Sequence, residues 1–158
     1  MQIRPLVAAD LPTLWALNQA NVPAVGEETP AAMAELLAMS ALALGVEVDG
    51  ALVGFCYVLP PGRPYASENY RWFAARYDSF LYLDRVAFAE GHRGRGYGAA
   101  LYREVERQAG AATWFLLEVN LVPRNDGSLR FHAREGFVEV GQQQVKDKRV
   151  SLMAKRLR

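Results

Sequence analysis

Between Phe80 and Val119 the spacing of apolar positions changes twice. Phe80 to Phe88, written Phe-Leu-Tyr-Leu-Asp-Arg-Val-Ala-Phe, reads as a strand. From about Gly96 to Gln108 the apolar residues Leu101, Val105 and Ala109 recur on one stripe of a helix. Thr113 to Val119 is then apolar nearly throughout, the pattern of a strand buried on both faces. This succession predicts a right-handed βαβ unit with two parallel strands. Upstream, the pattern gives a short strand near Gln2 to Arg4, then Asp10 as the N-cap of a helix carrying Leu11, Leu14, Trp15 and Leu17. A breaker-rich loop follows from Asn18 to Glu28, and Thr29-Pro30 opens a second helix that runs to about Met39. Strands at Leu42 to Val48 and Leu52 to Leu59 are joined by Asp49-Gly50, a strong hairpin signal. A last helix and strand follow the βαβ unit, and a terminal strand spans Val150 to Ala154.

Composition narrows this picture to one domain, 1–158, since a chain of 158 residues that is 51% hydrophobic and 22% charged buries one substantial core. A formal net charge of +1 argues against nucleic acid as an obligatory partner. The single cysteine, Cys56, lies in an apolar strand and reads as a small buried hydrophobe, so no disulfide framework exists and a cytoplasmic location is expected. The opening residues Met1-Gln2-Ile3-Arg4-Pro5 lack the apolar core of a signal peptide. The longest apolar stretch, around Leu36 to Val48, is interrupted by Gly45 and Glu47, so no membrane association is expected.

The candidate chemistry sits between the first strand of the βαβ unit and its helix, in His92-Arg93-Gly94-Arg95-Gly96-Tyr97-Gly98-Ala99. Glycines let backbone N–H groups approach an anion, the helix start adds partial positive charge, and two arginines add charge-assisted donors suited to a pyrophosphate. Two readings share this loop. Gly94-x-Gly96-x-x-Ala99, with Glu118 about twenty residues on, satisfies a dinucleotide-binding fingerprint. Arg93-x-x-Gly96-x-Gly98 resembles the R/Q-x-x-G-x-G/A acyl-CoA motif of the GNAT (Gcn5-related) N-acetyltransferase superfamily. Downstream, Asn125, Ser128, Phe131, His132, Gly136 and Phe137 look like that superfamily's N-x-x-[AS]-x-x-[FL]-Y-x-x-x-G-F block, with His132 where most members carry tyrosine.

The resemblance covers roughly the whole chain and implies an α/β fold in β-α-α-β-β-β-α-β-α-β order. A mixed central sheet of six to seven strands would be flanked by about four helices. It implies direct transfer of an acetyl group from acetyl-CoA to a primary amine in a ternary complex, without a metal. Arg93, Gly94, Arg95, Gly96, Tyr97, Gly98 and Ala99 would hold the pyrophosphate, and Val86 and Phe88 would offer main-chain groups to the pantetheine and thioester. Asn125 and Ser128 fit either CoA contacts or a helix cap; Phe131 belongs to the same block, and Arg134 would reach the adenosine phosphates. An amine must lose a proton before it attacks, so a carboxylate base is expected. Glu118 stands where some relatives place one, or is an ordinary strand glutamate; Asp84 is the competitor, with Arg85 beside it as an ion-pair partner. His132 would either protonate the departing thiolate or remain a neutral ring bonded to a carbonyl within the last helix. The resemblance also leaves open a non-catalytic acyl-CoA-binding module.

Least generic is Pro60 to Phe80, which is long and aromatic. Ser67 reads as the N-cap of a short helix with Tyr70, Phe73 and Tyr77 on one face. These aromatics form either a satellite core or homodimer contact, or a wall that, with Trp72, Glu27 and Glu28, selects a small amine over a protein tail.

Overall fold

The computed structural model describes all residues, Met1–Arg158. Seven strands form one sheet: β1 (Gln2–Pro5), β2 (Leu42–Val48), β3 (Ala51–Leu59), β4 (Phe80–Phe88), β5 (Trp114–Val122), β6 (Val138–Val145) and β7 (Lys148–Arg156). Their order is β1-β2-β3-β4-β5-β7-β6. Five helices accompany them: α1 (Leu11–Gln19), α2 (Pro30–Met39), α3 (Glu68–Ala74), α4 (Tyr97–Arg107) and α5 (Asp126–Arg134). The mixed α/β class and the element order agree with the sequence reading; the fifth helix is α3, in the long β3–β4 connection. The chain divides into two compact units, Met1–Leu59 with Leu83–Gln108, and Pro60–Tyr82 with Ala109–Arg158.

In the first unit, β1, β2 and β3 are antiparallel neighbours. Phe55 to Leu59 of β3 are fully buried, as their unbroken apolar run requires. Thr29 caps α2, its hydroxyl accepting from the Ala32 amide at 3.1 Å. Asp10 departs from expectation. Its carboxylate does not cap α1; it accepts from the Val7 amide at 2.8 Å and from both Arg4 terminal nitrogens at 2.9 Å, because a bidentate guanidinium outcompetes a helix amide. Trp15 is 37% exposed, its indole N–H donating to the Glu28 carbonyl, so Leu14 and Leu17 are the core-facing residues of α1.

In the second unit, β5, β7 and β6 are antiparallel neighbours, and the start of β4 pairs in parallel with β5 through Phe80↔Trp114, Leu81↔Phe115 and Tyr82↔Leu116. Ser67 caps α3, accepting from the Tyr70 amide at 3.2 Å, as the sequence predicts. The aromatics of the connection divide between the two readings, and for Tyr70 and Phe73 the satellite core is the one realised. Tyr70 (2% exposed) and Phe73 (0%) are core, packed on Tyr82 with ring centroids 5.4 and 5.8 Å away. Tyr77 stacks edge-on to Trp114 at 5.3 Å. Only Trp72 remains half-buried among the helix's aromatics.

Candidate functional site

β4 ends at Phe88, and the glycine-rich loop that follows delivers the chain into α4. Gly91, Gly94 and Gly96 all have positive φ, 86°, 72° and 81°. Gly96 is the N-cap of α4 in the left-handed region, and no side chain caps the helix there. The amides of the first turn, at Tyr97, Gly98 and Ala99, are therefore the orphan donors of a helix start. A Cβ built at Gly94 or Gly96 meets nothing within 4 Å, so the glycines serve the backbone turn and the space before the helix is open. This arrangement fits a diphosphate. Arg93 and Arg95 are exposed beside it. One asparagine braces the loop: the Asn21 amide donates to the carbonyls of Leu17 (2.8 Å) and Phe88 (3.0 Å), while its oxygen accepts from the Arg93 guanidinium at 2.8 Å. The Phe88 carbonyl is thus engaged within the chain. Its ring fills the place of a missing side chain at Gly54, where a Cβ would come within 2.2 Å of it, and lies 6.5 Å from the Tyr97 ring. Val86 is half-buried two residues earlier.

A second cluster is built on Arg85, whose guanidinium is buried. Its Nε donates to Asp84 at 2.6 Å, one terminal nitrogen to the Asn18 side-chain oxygen at 2.8 Å and the Gly26 carbonyl at 3.3 Å, and the other to Glu28 at 2.9 Å. The alternative weighed for Asp84, an ion pair with its neighbour, is the one realised. Glu28 likewise pairs with Arg85 and does not stand as a lone charge for a cationic ligand; Glu27 is exposed. Sequence patterning missed Asn18 and Asn21 as bracing residues, since their partners lie 67 residues away on β4.

In the second unit, Glu118 is half-buried on β5 and its carboxylate accepts a short hydrogen bond from the Tyr82 hydroxyl. Tyr82 was not singled out from sequence, although a tyrosine in a buried strand needs a partner for its hydroxyl. His132 is buried in α5, where its Nδ1–H donates to the Ser128 carbonyl at 2.7 Å, with the Ser128 hydroxyl at 3.2 Å. Burial lowers its pKa below the usual 6.5, more than the Ser128 bond and Glu135 raise it. A neutral ring so bonded carries its proton on Nδ1 and leaves Nε2 as an acceptor. His132 also packs on Phe137, which packs on Phe115. Phe115 and Glu118 project from opposite faces of β5. Asn125 takes the helix-cap role, accepting from the Ser128 amide at 3.2 Å. Phe131 lies edge-on to His132, and Arg134 is exposed. Cys56 is fully buried with its thiol pushed up to about 12 by desolvation, which excludes it as a nucleophile. No helix is long and apolar enough to cross a membrane.

A sequence profile of the acetyltransferase (GNAT) family matches residues 12–137. Among solved structures, the chain is similar to the ribosomal-protein-alanine N-acetyltransferase of Brucella melitensis, with 25% identity, a TM-score of 0.74 and 99% of each chain covered. It is also similar to the ribosomal-protein-S18-alanine N-acetyltransferase of Escherichia coli (16% identity, TM-score 0.77, 99% of this chain and 93% of that one). A structure from Salmonella typhimurium holding its cofactor acetyl-CoA matches with 18% identity and a TM-score of 0.73 over 100% of this chain and 94% of that one. No curated protein matches the chain by sequence. The dinucleotide-binding alternative is set aside by this match, and by a sheet in which β4 and β5 form a parallel pair while β1-β2-β3 and β5-β7-β6 are antiparallel.

Proposed function

Because the chain belongs to the GNAT acetyltransferase family, and so is an acetyl-CoA-dependent N-acetyltransferase, we propose that it acetylates the primary amine of a small molecule with Glu118 as the general base. The observation that carries this reading is the Tyr82–Glu118 hydrogen bond, which holds a half-buried carboxylate in one orientation on β5. Bound acetyl-CoA supplies the acetyl thioester for direct attack by the amine in a ternary complex. The residues fitted to hold it are the open amides of Tyr97, Gly98 and Ala99 with Gly94, Gly96, Arg93 and Arg95, and the main chain of Val86 and Phe88 on β4. Asn125, Ser128, Phe131 and Arg134 complete the proposed CoA-binding set.

At neutral pH an aliphatic amine is mostly an ammonium ion and has no lone pair to donate. Glu118, directly or through a water, takes that proton, and a carboxylate in fixed orientation does so without reorganising. Asp84 is a poor substitute because its charge is already paired with Arg85. His132 remains in this reading the ring that ties α5 to its own first turn, since donation to a thiolate would need the imidazolium that burial disfavours. A small acceptor is favoured over a protein tail because α3 packs around Glu118's partner Tyr82 and narrows access to that carboxylate.

The test pairs calorimetry with turnover. Acetyl-CoA should bind while NADH does not, and a panel of primary amines should contain at least one that releases free thiol from acetyl-CoA. CoA binding with no thiol release from any amine would leave a binding module instead.

A further inference from the structure

The registers of β5, β7 and β6 sort their side chains by face. Glu118 stands opposite Leu152, and Leu152 opposite Gly141; in the next row Asn120 stands opposite Val150, and Val150 opposite Gln143. Opposed residues, and alternate residues along a strand, project from one face, so Glu118, Asn120, Gly141 and Gln143 share a face. α3 rests on that face. Trp72 occupies the space a side chain at Gly141 would need, since a Cβ there would come within 2.6 Å of the indole. Asn69, on the same helix, accepts a hydrogen bond from the Gln143 amide at 2.9 Å. Glu118, Asn120, Gln143, Asn69 and Trp72 are all half-buried, so the row is reachable. Two strand spacings of about 4.8 Å and a two-residue rise of about 6.7 Å set Glu118 and Gln143 on the order of 12 Å apart at Cα.

The Asn69–Gln143 bond uses one amide carbonyl and one amide N–H. It leaves the Gln143 carbonyl as an acceptor and the Asn69 N–H groups as donors. A carboxamide offers the complement, one N–H and one C=O. The row holds neutral amides and no second carboxylate, and its one aromatic ring, Trp72, already carries the Arg76 guanidinium 3.9 Å from its centroid, a charge that would repel a second cation. We infer that Asn69 and Gln143 determine acceptor specificity, selecting an amine whose body carries a carboxamide over an alkylamine or a diamine of equal length. This deepens the proposed reading and rests on Glu118 acting as the base. An alkylamine in this place would desolvate both amides without pairing them.

The experiment compares ω-amino carboxamides with n-alkylamines and diamines of matched length, following thiol release from acetyl-CoA. For the wild-type chain, kcat/KM should favour the carboxamide series by at least about tenfold, the cost of one buried polar group left unpaired. In Gln143→Leu and Asn69→Ala that ratio should fall toward one, with the KM for acetyl-CoA unchanged. Asn69→Asp keeps the size but replaces the donor with a carboxylate, and should shift preference toward diamines; this gain of preference is one that a merely misfolded variant cannot produce. A wild-type ratio near one, or a tenfold ratio that survives both variants, overturns the inference while leaving the base assignment intact. Absence of turnover with every amine would defeat the proposed function itself, and the inference with it.

Discussion

Replacing Arg85 by methionine should be among the most damaging single changes to the first unit. The guanidinium is 5% exposed, and the Asp84 carboxylate it neutralises is 4% exposed. Methionine restores much of the volume but leaves that buried carboxylate without the guanidinium that neutralises it, and strips Asn18 and the Gly26 carbonyl of a donor. Breaking a buried pair on one side costs about 3–5 kcal/mol, which at about 2–4 °C per kcal/mol for a chain of this size lowers Tm by roughly 6–20 °C. Glu28→Gln acts at the rim of the same cluster, where the carboxylate is 23% exposed, and should cost about 1 kcal/mol or less. The diagnostic is the double variant Asp84→Asn with Arg85→Met. It removes the charge and should recover a clear part of the loss, because the penalty belongs to a buried carboxylate deprived of its countercharge. Urea unfolding of the four proteins supplies the numbers. A loss below about 1 kcal/mol in Arg85→Met, or a double variant less stable than Arg85→Met alone, would mean that the Asp84 charge is not what makes Arg85 important to stability.

Gly96→Asp places a side chain at a φ of 81° and a carboxylate before the α4 amides, so acetyl-CoA binding by calorimetry should be lost while the fold, at a backbone cost of about 1–2 kcal/mol, survives. For His132 the folded pKa lies below the unfolded value of 6.5, chiefly through burial. The unfolded chain therefore takes up the proton first, and stability present above pH 6.5 is lost as pH falls from there toward the folded value. His132→Phe should remove that slope between urea melts at pH 7.5 and pH 5, and should leave the pH profile of turnover unaltered; loss of turnover confined to high pH would restore His132 as a proton donor.

What was legible in the sequence is what short-range physics controls. The Asp49-Gly50 hairpin, the Thr29 and Ser67 caps, the Asn125 cap and the glycine-rich entrance to α4 each depend on residues within a few positions. The Tyr82–Glu118 bond and the Arg85–Glu28 pair were not legible as contacts, because their partners stand 36 and 57 residues apart and meet only once strands are in register or the α1–α2 loop is folded back. Asp10 shows the same limit at closer range: a good N-cap residue was diverted by an arginine six positions earlier. The aromatic periodicity of residues 70–77 announced a buried face correctly, but only the missing side chain at Gly141 revealed where Trp72 lies.

The chemistry proposed here needs the carboxylate of Glu118, and Glu118→Gln isolates it, because glutamine keeps the shape and can still accept from the Tyr82 hydroxyl while losing the capacity to take a proton. With an acceptor amine in hand, kcat should fall by about a hundredfold or more, with acetyl-CoA affinity by calorimetry close to wild type. Unchanged kcat in Glu118→Gln would remove this residue from the chemistry.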